Sequence, residues 1–424
     1  MTSASREIAH EEATTLGRAV SIAAVLGAAG AVVALAFVAI MSAGQGVLWP
    51  DPLDPSAFSG SIRILVVMTA GGLAVGMIHK IAPTAAEENV FVALATGEVE
   101  AKALPGGVTI AAVSLIAGFS LGPEVPTGMA AAGLASYAVS RGLVRRRDAD
   151  VAMSAAISGA WGGLFTAPFT ALLLNLELTV ERSVLRWARI TSDAAAAIVG
   201  FAIFFVVDAG WSDVLRLLKL PSFDFGILEL GLAAVLGVLG AIVGTAFKLS
   251  MVATGRLAAP HASRPVLRCT ALGLAMGLVG MALPLTLFLG TDGLVDVTSD
   301  PAAIGAGLIL ASALVKILVT SGALSFGFVG GPIFPLLFIG GSIGSVLHVA
   351  VDGIPLGLAV VAMMAAVPSS VIPVPLSIAT LTFLIAGVPP SESTPVFVAA
   401  FVALIAGRII EARLPKPGGT TDAA

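Results

Sequence analysis

Residues 118–128 read GFSLGPEVPTG and set a single carboxylate, Glu124, between Pro123 and Pro126. No other charged residue lies between positions 103 and 140. Proline carries no backbone N–H, and at the first helical position that loss costs nothing, so PEVP reads as the start of a helix. Such a start exposes unpaired N–H groups and the positive end of the helix dipole. An acid placed there faces hydrogen-bond donors.

The surroundings decide the class. Of 424 residues, 57% are hydrophobic and 11% charged, with a mean hydropathy of +1.03, the composition of a multispanning membrane protein. Uncharged runs recur at 19–50, 64–78, 103–123, 125–140, 151–176, 230–247, 269–291, 317–347, 353–391 and 393–407. A span needs roughly 20 apolar residues, so the longest runs hold two helices and the short ones are tilted or re-entrant. With 48 glycines, 24 prolines and few aromatics, closely packed and often broken helices are expected rather than a membrane β-barrel. The fold class is therefore all-α integral membrane. Gly240 with Gly244, and Gly340 with Gly344, are small-residue spacings that let backbones touch.

Several functions are excluded. Cys269 is the only cysteine, and four scattered histidines offer no ligand spacing, so neither a disulfide nor a metal or cofactor site is expected. No phosphate-binding loop occurs, which argues against ATP-driven transport, and a net charge of -4 gives no reason to expect a nucleic-acid partner. No nucleophile–base pair lies beside the spans, so an enzyme is not expected. Residues 1–18 form a mixed-charge polar tail unlike a cleaved signal, and residues 411–424 a polar tail expected to be disordered. The single membrane domain between them, residues 19–410, belongs in a plasma or bacterial inner membrane.

A second interrupted segment resembles the first. SFGFVGGPIFPLLFIGGSIGS, from Ser325, also runs from small residues through a Gly/Pro break into an apolar helix, as SLGPEVPTGMAAAGLAS does. Pro126 is followed by Pro168 in GLFTAPFTALLLNLE, and Pro335 at nearly the same distance by Pro375 in SSVIPVPLSIATLTFL. A repeated motif pair with preserved spacing is the signature of a duplicated transporter fold. Non-helical backbone at membrane depth survives only inside protein or beside a water-filled cavity, and two helix starts meeting there make an anion site from amides alone. Glu124 then reads as a tethered anion in the place of a mobile one, released when a proton neutralises it. The competing reading has Glu124 simply capping its own helix.

These residues resemble the CLC family of chloride channels and proton/anion antiporters. Gly122-Pro123-Glu124-Val125-Pro126 is similar to that family's gate motif of glycine, basic residue, glutamate, glycine and proline. Gly331-Pro332-Ile333-Phe334-Pro335 looks like its G-x-F-x-P motif, and residues 163–177 like the segment that follows the gate helix. The resemblance spans residues 77–387 and implies an inverted repeat, residues 19–220 and 225–410, in a homodimer whose subunits each have an anion pathway. It carries Glu124 over as the gate, with Gly122 and Gly331 in the two motifs and the amides of Val125, Ile333 and Phe334 facing the anion. Its cargo would be chloride or another small anion, moved passively or with protons.

The departures from the family pattern bear on the site. Pro123 replaces the basic residue, Val125 a glycine, and Pro332 removes an N–H from the second motif. No serine occurs in APTAAEENVF, where Glu87 and Glu88 stand, and the only tyrosine, Tyr137, lies on the gate helix rather than near the C-terminus. Where antiporters of the family carry an internal proton-transfer glutamate, Leu178 stands, with Glu181 as a substitute and Glu177 as a structural carboxylate at a helix end. Lys316 reads either as a satisfied lysine or as a lining of the anion path. Two alternatives to anion transport stay open: a CLC-like fold carrying another ion or an organic acid, and a membrane scaffold that transports nothing.

Overall fold

The computed structural model describes residues 3–50, 61–82, 104–178, 186–207 and 218–414. Glu87, Glu88, Glu181 and the end of the C-terminal tail lie outside the described residues. Apolar runs become helices because in lipid a backbone satisfies its own N–H and C=O groups within a helix. The first half contributes α1 (Ser3–Leu48), α2 (Ile62–Ile81), α3 (Leu104–Ile116), α4 (Glu124–Ser140), α5 (Ala149–Leu164), α6 (Pro168–Leu178) and α7 (Arg186–Val207). The second contributes α8 (Ile227–Ala258), α9 (Pro265–Ala282), α10 (Thr291–Ser299), α11 (Pro301–Ile304), α12 (Ala306–Ser325), α13 (Ile333–Ala350), α14 (Leu356–Val371), α15 (Pro375–Ala386) and α16 (Ser393–Arg413).

Eight helices among the described residues are long and apolar enough to cross a membrane. The apolar span inside α1 is Leu16–Leu48, so the helix continues back into the polar segment expected as a tail, whose Glu, Ala and Arg are good helix formers. As the run lengths imply, residues 353–391 hold two helices, α14 and α15.

The packing repeats along the chain. In the first half α5 is the hub, in contact with α1, α4, α6 and α7; in the second α14 is the hub, in contact with α8, α13, α15 and α16. The halves join where α2 lies along α9 and α6 against α15. The glycine spacings seen in the sequence sit at these contacts. A Cβ on Gly340 or Gly344 would strike the backbone of α14 at Met363 and Ala359, and one on Gly240 would strike Ala366. Close approach of these helices therefore requires glycine.

At the centre α3 and α12 both stop short. Each is followed by a glycine in left-handed backbone, Gly118 at φ +90° and Gly327 at φ +93°, a region that side chains disfavour. The next residues, Phe119 and Phe328, stack with ring centroids 4.2 Å apart. The chain then crosses to the starts of α4 and α13, and there the two halves exchange backbone hydrogen bonds. Gly122 N–H donates to Gly331 O at 2.7 Å, and Gly331 N–H to Gly122 O at 2.8 Å, in antiparallel sense. This reciprocal pair is the contact a local two-fold relation between the halves produces.

Candidate functional site

The two breaks set two helix starts beside each other. α4 begins at Glu124 and α13 at Ile333, so Pro123 and Pro332 are the flanking N-cap residues rather than the first helical ones. The first intrahelical bonds run from Thr127 N–H to Pro123 O and from Leu336 N–H to Pro332 O. Three positions at each start thus have no intrahelical acceptor, and at each the third is a proline, Pro126 or Pro335. What remains is a pair of amides per helix: those of Glu124 and Val125, and those of Ile333 and Phe334.

Glu124 reaches across the break. Its Oε1 accepts the Ile333 N–H at 2.8 Å, which places the carboxylate at the start of α13. The Ile333 amide is its described hydrogen-bond donor, and Val125, whose amide is expected to face the anion, is buried at the second position of α4. The side chain is fully buried, at 0% exposure, while Oε2 has no hydrogen-bond partner among the described residues. A buried carboxylate with one oxygen bonded and one unsatisfied is held loosely for its cost. Gly122 and Gly331 make the space, since a Cβ on either would fall on the carboxylate itself. These residue types are needed because anything larger than glycine would evict the acid.

The surrounding shell is aromatic. Trp161 on α5 donates its indole N–H to Glu124 O at 2.8 Å, which fixes the start of α4 against the hub helix. Phe165 and Phe334 have ring centroids 6.1 Å apart. The hydroxyl of Ser120, within the first break, pairs with that of Thr320 on α12 at 2.8 Å.

Lys316 is completely buried. Its Nζ donates to the carbonyls of Leu285, Thr286, Leu287 and Phe288 at 3.3, 3.2, 3.0 and 3.1 Å and lies 4.7 Å from the centre of the Phe338 ring. It is a satisfied lysine, and its work is to hold this loop. The loop in turn meets the first break, where Phe288 N–H donates to Gly118 O at 2.9 Å. It also walls a cavity of about 640 Å³ that includes Gln45, Trp49, Thr291 and Asp292. A much smaller void shares Gly290 and Thr291 with that cavity and is also lined by Phe334.

Two further expectations have clear places. Glu177 is a helix-end carboxylate: it accepts Leu376 N–H at 2.9 Å and the Ser377 N–H and hydroxyl at 2.8 and 2.5 Å, capping α15. Tyr137 is half-exposed at the far end of α4, beneath the Arg141 guanidinium, away from the break. One signal in the sequence went unread. G-F-x-x-G-P-x-x-P occurs at 118–126 and again at 327–335, which aligns Glu124 with Ile333, the residue whose amide it takes.

Residues 70–408 match the family model described as voltage gated chloride channel. The chain is 30% identical over 364 residues to YfeO of Salmonella paratyphi A, which bears the provisional name of an ion-transport protein; 83% of this chain and 85% of that one are covered. Among solved structures it resembles a slow cyanobacterial Cl-/H+ antiporter, with TM-score 0.77, 17% identity, and 93% of this chain and 95% of that chain covered. A CLC-type fluoride/proton antiporter gives TM-score 0.74 at 20% identity over 93% of this chain and 96% of that one. At these identities the structural likeness speaks for the fold.

Proposed function

The chain belongs to the voltage gated chloride channel (CLC) family of ion transporters, and from that premise we propose that it exchanges chloride or a similar monovalent anion for protons, with Glu124 as the gate. The observation that carries this reading is the buried Glu124 carboxylate on the Ile333 amide, with its second oxygen unpartnered. A carboxylate there fills the place of an anion. A net hydrogen bond to a charged group is worth about 1.5–3 kcal/mol and one between neutral groups about 0.5–1.5 kcal/mol, so protonation weakens the hold and frees the amides of Ile333 and Phe334. An anion entering from the cavity beside Thr291 then takes them. Each opening uses a proton, and each anion that leaves lets the ionised carboxylate return, which couples the two movements.

The solved relatives named as Cl-/H+ and fluoride/proton antiporters support exchange over simple leakage. Pro332 and Pro335 leave the second helix start two amides, so weak anion binding is expected. Assembly as a homodimer in a plasma or inner membrane belongs to the same reading.

Chloride efflux from proteoliposomes tests it. The parent should release chloride faster as the pH falls, and Glu124→Gln, which cannot ionise, should release it at a rate independent of pH. Absence of chloride efflux at every pH, or a variant indistinguishable from the parent, defeats the reading. A signal that follows a cation or an organic acid in its place would transfer the fold to another cargo.

A further inference from the structure

The arginines of RGLVRRR, residues 141–147, take no part in the site described above. They form the turn between α4, which carries Glu124, and the hub helix α5. α4 ends at Ser140; Gly142 then reverses the chain at φ +72°. The N–H groups of Leu143 and Val144 both return to Ala138 O, at 3.0 and 3.4 Å. Val144 is buried, while Leu143 stands 76% exposed. Asp148 N–H donates to Arg145 O at 2.9 Å and closes the short 3-10 turn Arg146–Asp148. The turn is held by its own backbone, and its arginine side chains are not needed to shape it.

The charges here are unbalanced. Asp148 meets Arg18 of α1 at 3.5 Å and Arg147 at 3.8 Å. Asp150 lies in the first turn of α5, where the helix dipole favours an acid. Arg141 lies over the half-exposed Tyr137 ring, 5.2 Å from its centre. Among the described residues no carboxylate pairs with Arg141, Arg145 or Arg146, and all three are exposed.

The turn lies at a membrane edge. α4 starts at the break inside the membrane, and its 17 residues rise roughly 25 Å. That exceeds half of a hydrocarbon core of roughly 30 Å, so the helix ends among the headgroups. Arg18, which reaches Asp148 from α1, marks the same level, because it stands at the start of the apolar span Leu16–Leu48. Tyrosine rings settle at the headgroup level, exposed leucines among acyl chains, and guanidinium groups on phosphate oxygens. Tyr137, Leu143 and the arginines offer all three at one turn. A soluble phosphate would use only the last.

We propose that the 141–147 turn is a binding site for the headgroup of an anionic phospholipid, with Arg145 and Arg146 on the phosphate, Arg141 beside them above Tyr137, and Leu143 among the acyl chains. A headgroup held there fastens the far end of the helix whose start carries Glu124. The assignment is independent of which ion the protein moves.

The purified full chain in detergent, titrated with phosphatidylglycerol and followed by native mass spectrometry and by melting temperature, tests it. The parent should retain phosphatidylglycerol and melt higher as it is added, with phosphatidylcholine and inorganic phosphate doing neither. Arg145→Gln with Arg146→Gln should bind it more weakly, by about fivefold for each arginine removed, and should melt with the parent when no lipid is present. Arg145→Lys with Arg146→Lys, which keeps the charge, should hold most of the binding. Arg256→Gln with Arg264→Gln, which removes as much charge from the exposed corner between α8 and α9, should bind as the parent does. Unchanged binding in the glutamine variant of the turn overturns the site, and so does an equal loss in the corner variant, which would reduce the effect to diffuse charge. A parent that takes phosphatidylcholine as tightly, or that inorganic phosphate stabilises as much, overturns the choice of ligand. A turn variant that melts well below the parent without lipid makes the arginines structural, and the assignment fails.

Discussion

Gly331→Ala is the substitution the geometry speaks to most directly. A methyl at position 331 would land on the carboxyl group of Glu124, and Gly331 itself is held in place by the two backbone hydrogen bonds it exchanges with Gly122. The carboxylate must leave, and with it the Ile333 N–H···Oε1 bond. A net loss of about 1.5–3 kcal/mol for a bond to a charged group, at a factor of ten per 1.4 kcal/mol, moves the docked-to-free ratio roughly ten- to a hundredfold. The methyl thus does at neutral pH what protonation does in acid. Initial chloride efflux from proteoliposomes, measured from acid to neutral pH, should rise toward acid in the parent and stay high and flat in Gly331→Ala. Adding Glu124→Ala should then change little, since both substitutions act on one contact. Parent-like pH dependence in folded Gly331→Ala would refute the reasoning. So would a double variant far slower than Glu124→Ala alone, because the methyl would then be blocking the path instead of displacing the acid.

Other substitutions test the frame around the site. Lys316→Met strips the donor from four loop carbonyls; removing one partner from buried polar groups costs at least about 1–3 kcal/mol, so a clear drop in melting temperature in detergent is expected, with a parent-like melting curve counting against the role given to the loop. Glu177→Gln removes the charge at the start of α15 and should cost about 0.3–1 kcal/mol, seen as a small loss of thermal stability with anion efflux retained. Gly327→Ala forces a side chain into φ +93° and against Arg268 and His79, a strain of about 1–3 kcal/mol; Gly255→Ala, within α8 with open space around it, is the control that should melt no lower than the parent.

Much of this was legible in the residue order because the forces involved act locally. Charge is expelled from lipid, so the uncharged runs mark the helices; glycine and proline clustered together disfavour a helix, so both breaks show in the text of the chain. The same local rules isolated Glu124 as an acid that lipid would not tolerate, and singled out the tight glycine pairs on α8 and α13. Even the small misreading of the helix starts has a local cause: Pro123 and Pro332 lie in the right-handed backbone region, with φ and ψ of -81° and -4° and of -91° and -7°, and their carbonyls accept the first intrahelical bonds, yet each precedes the first helical residue.

By itself, then, the sequence determined a helical membrane protein with two interrupted segments and an acid at the first. Which donor that acid meets was decided only by tertiary structure: Ile333 lies 209 positions away, and its amide is no different in the sequence from any other. The same holds for Lys316, whose acceptors are backbone carbonyls that no side-chain pattern encodes. Backbone donors and acceptors are identical at every residue, so only the packing of helices selects which of them become a site.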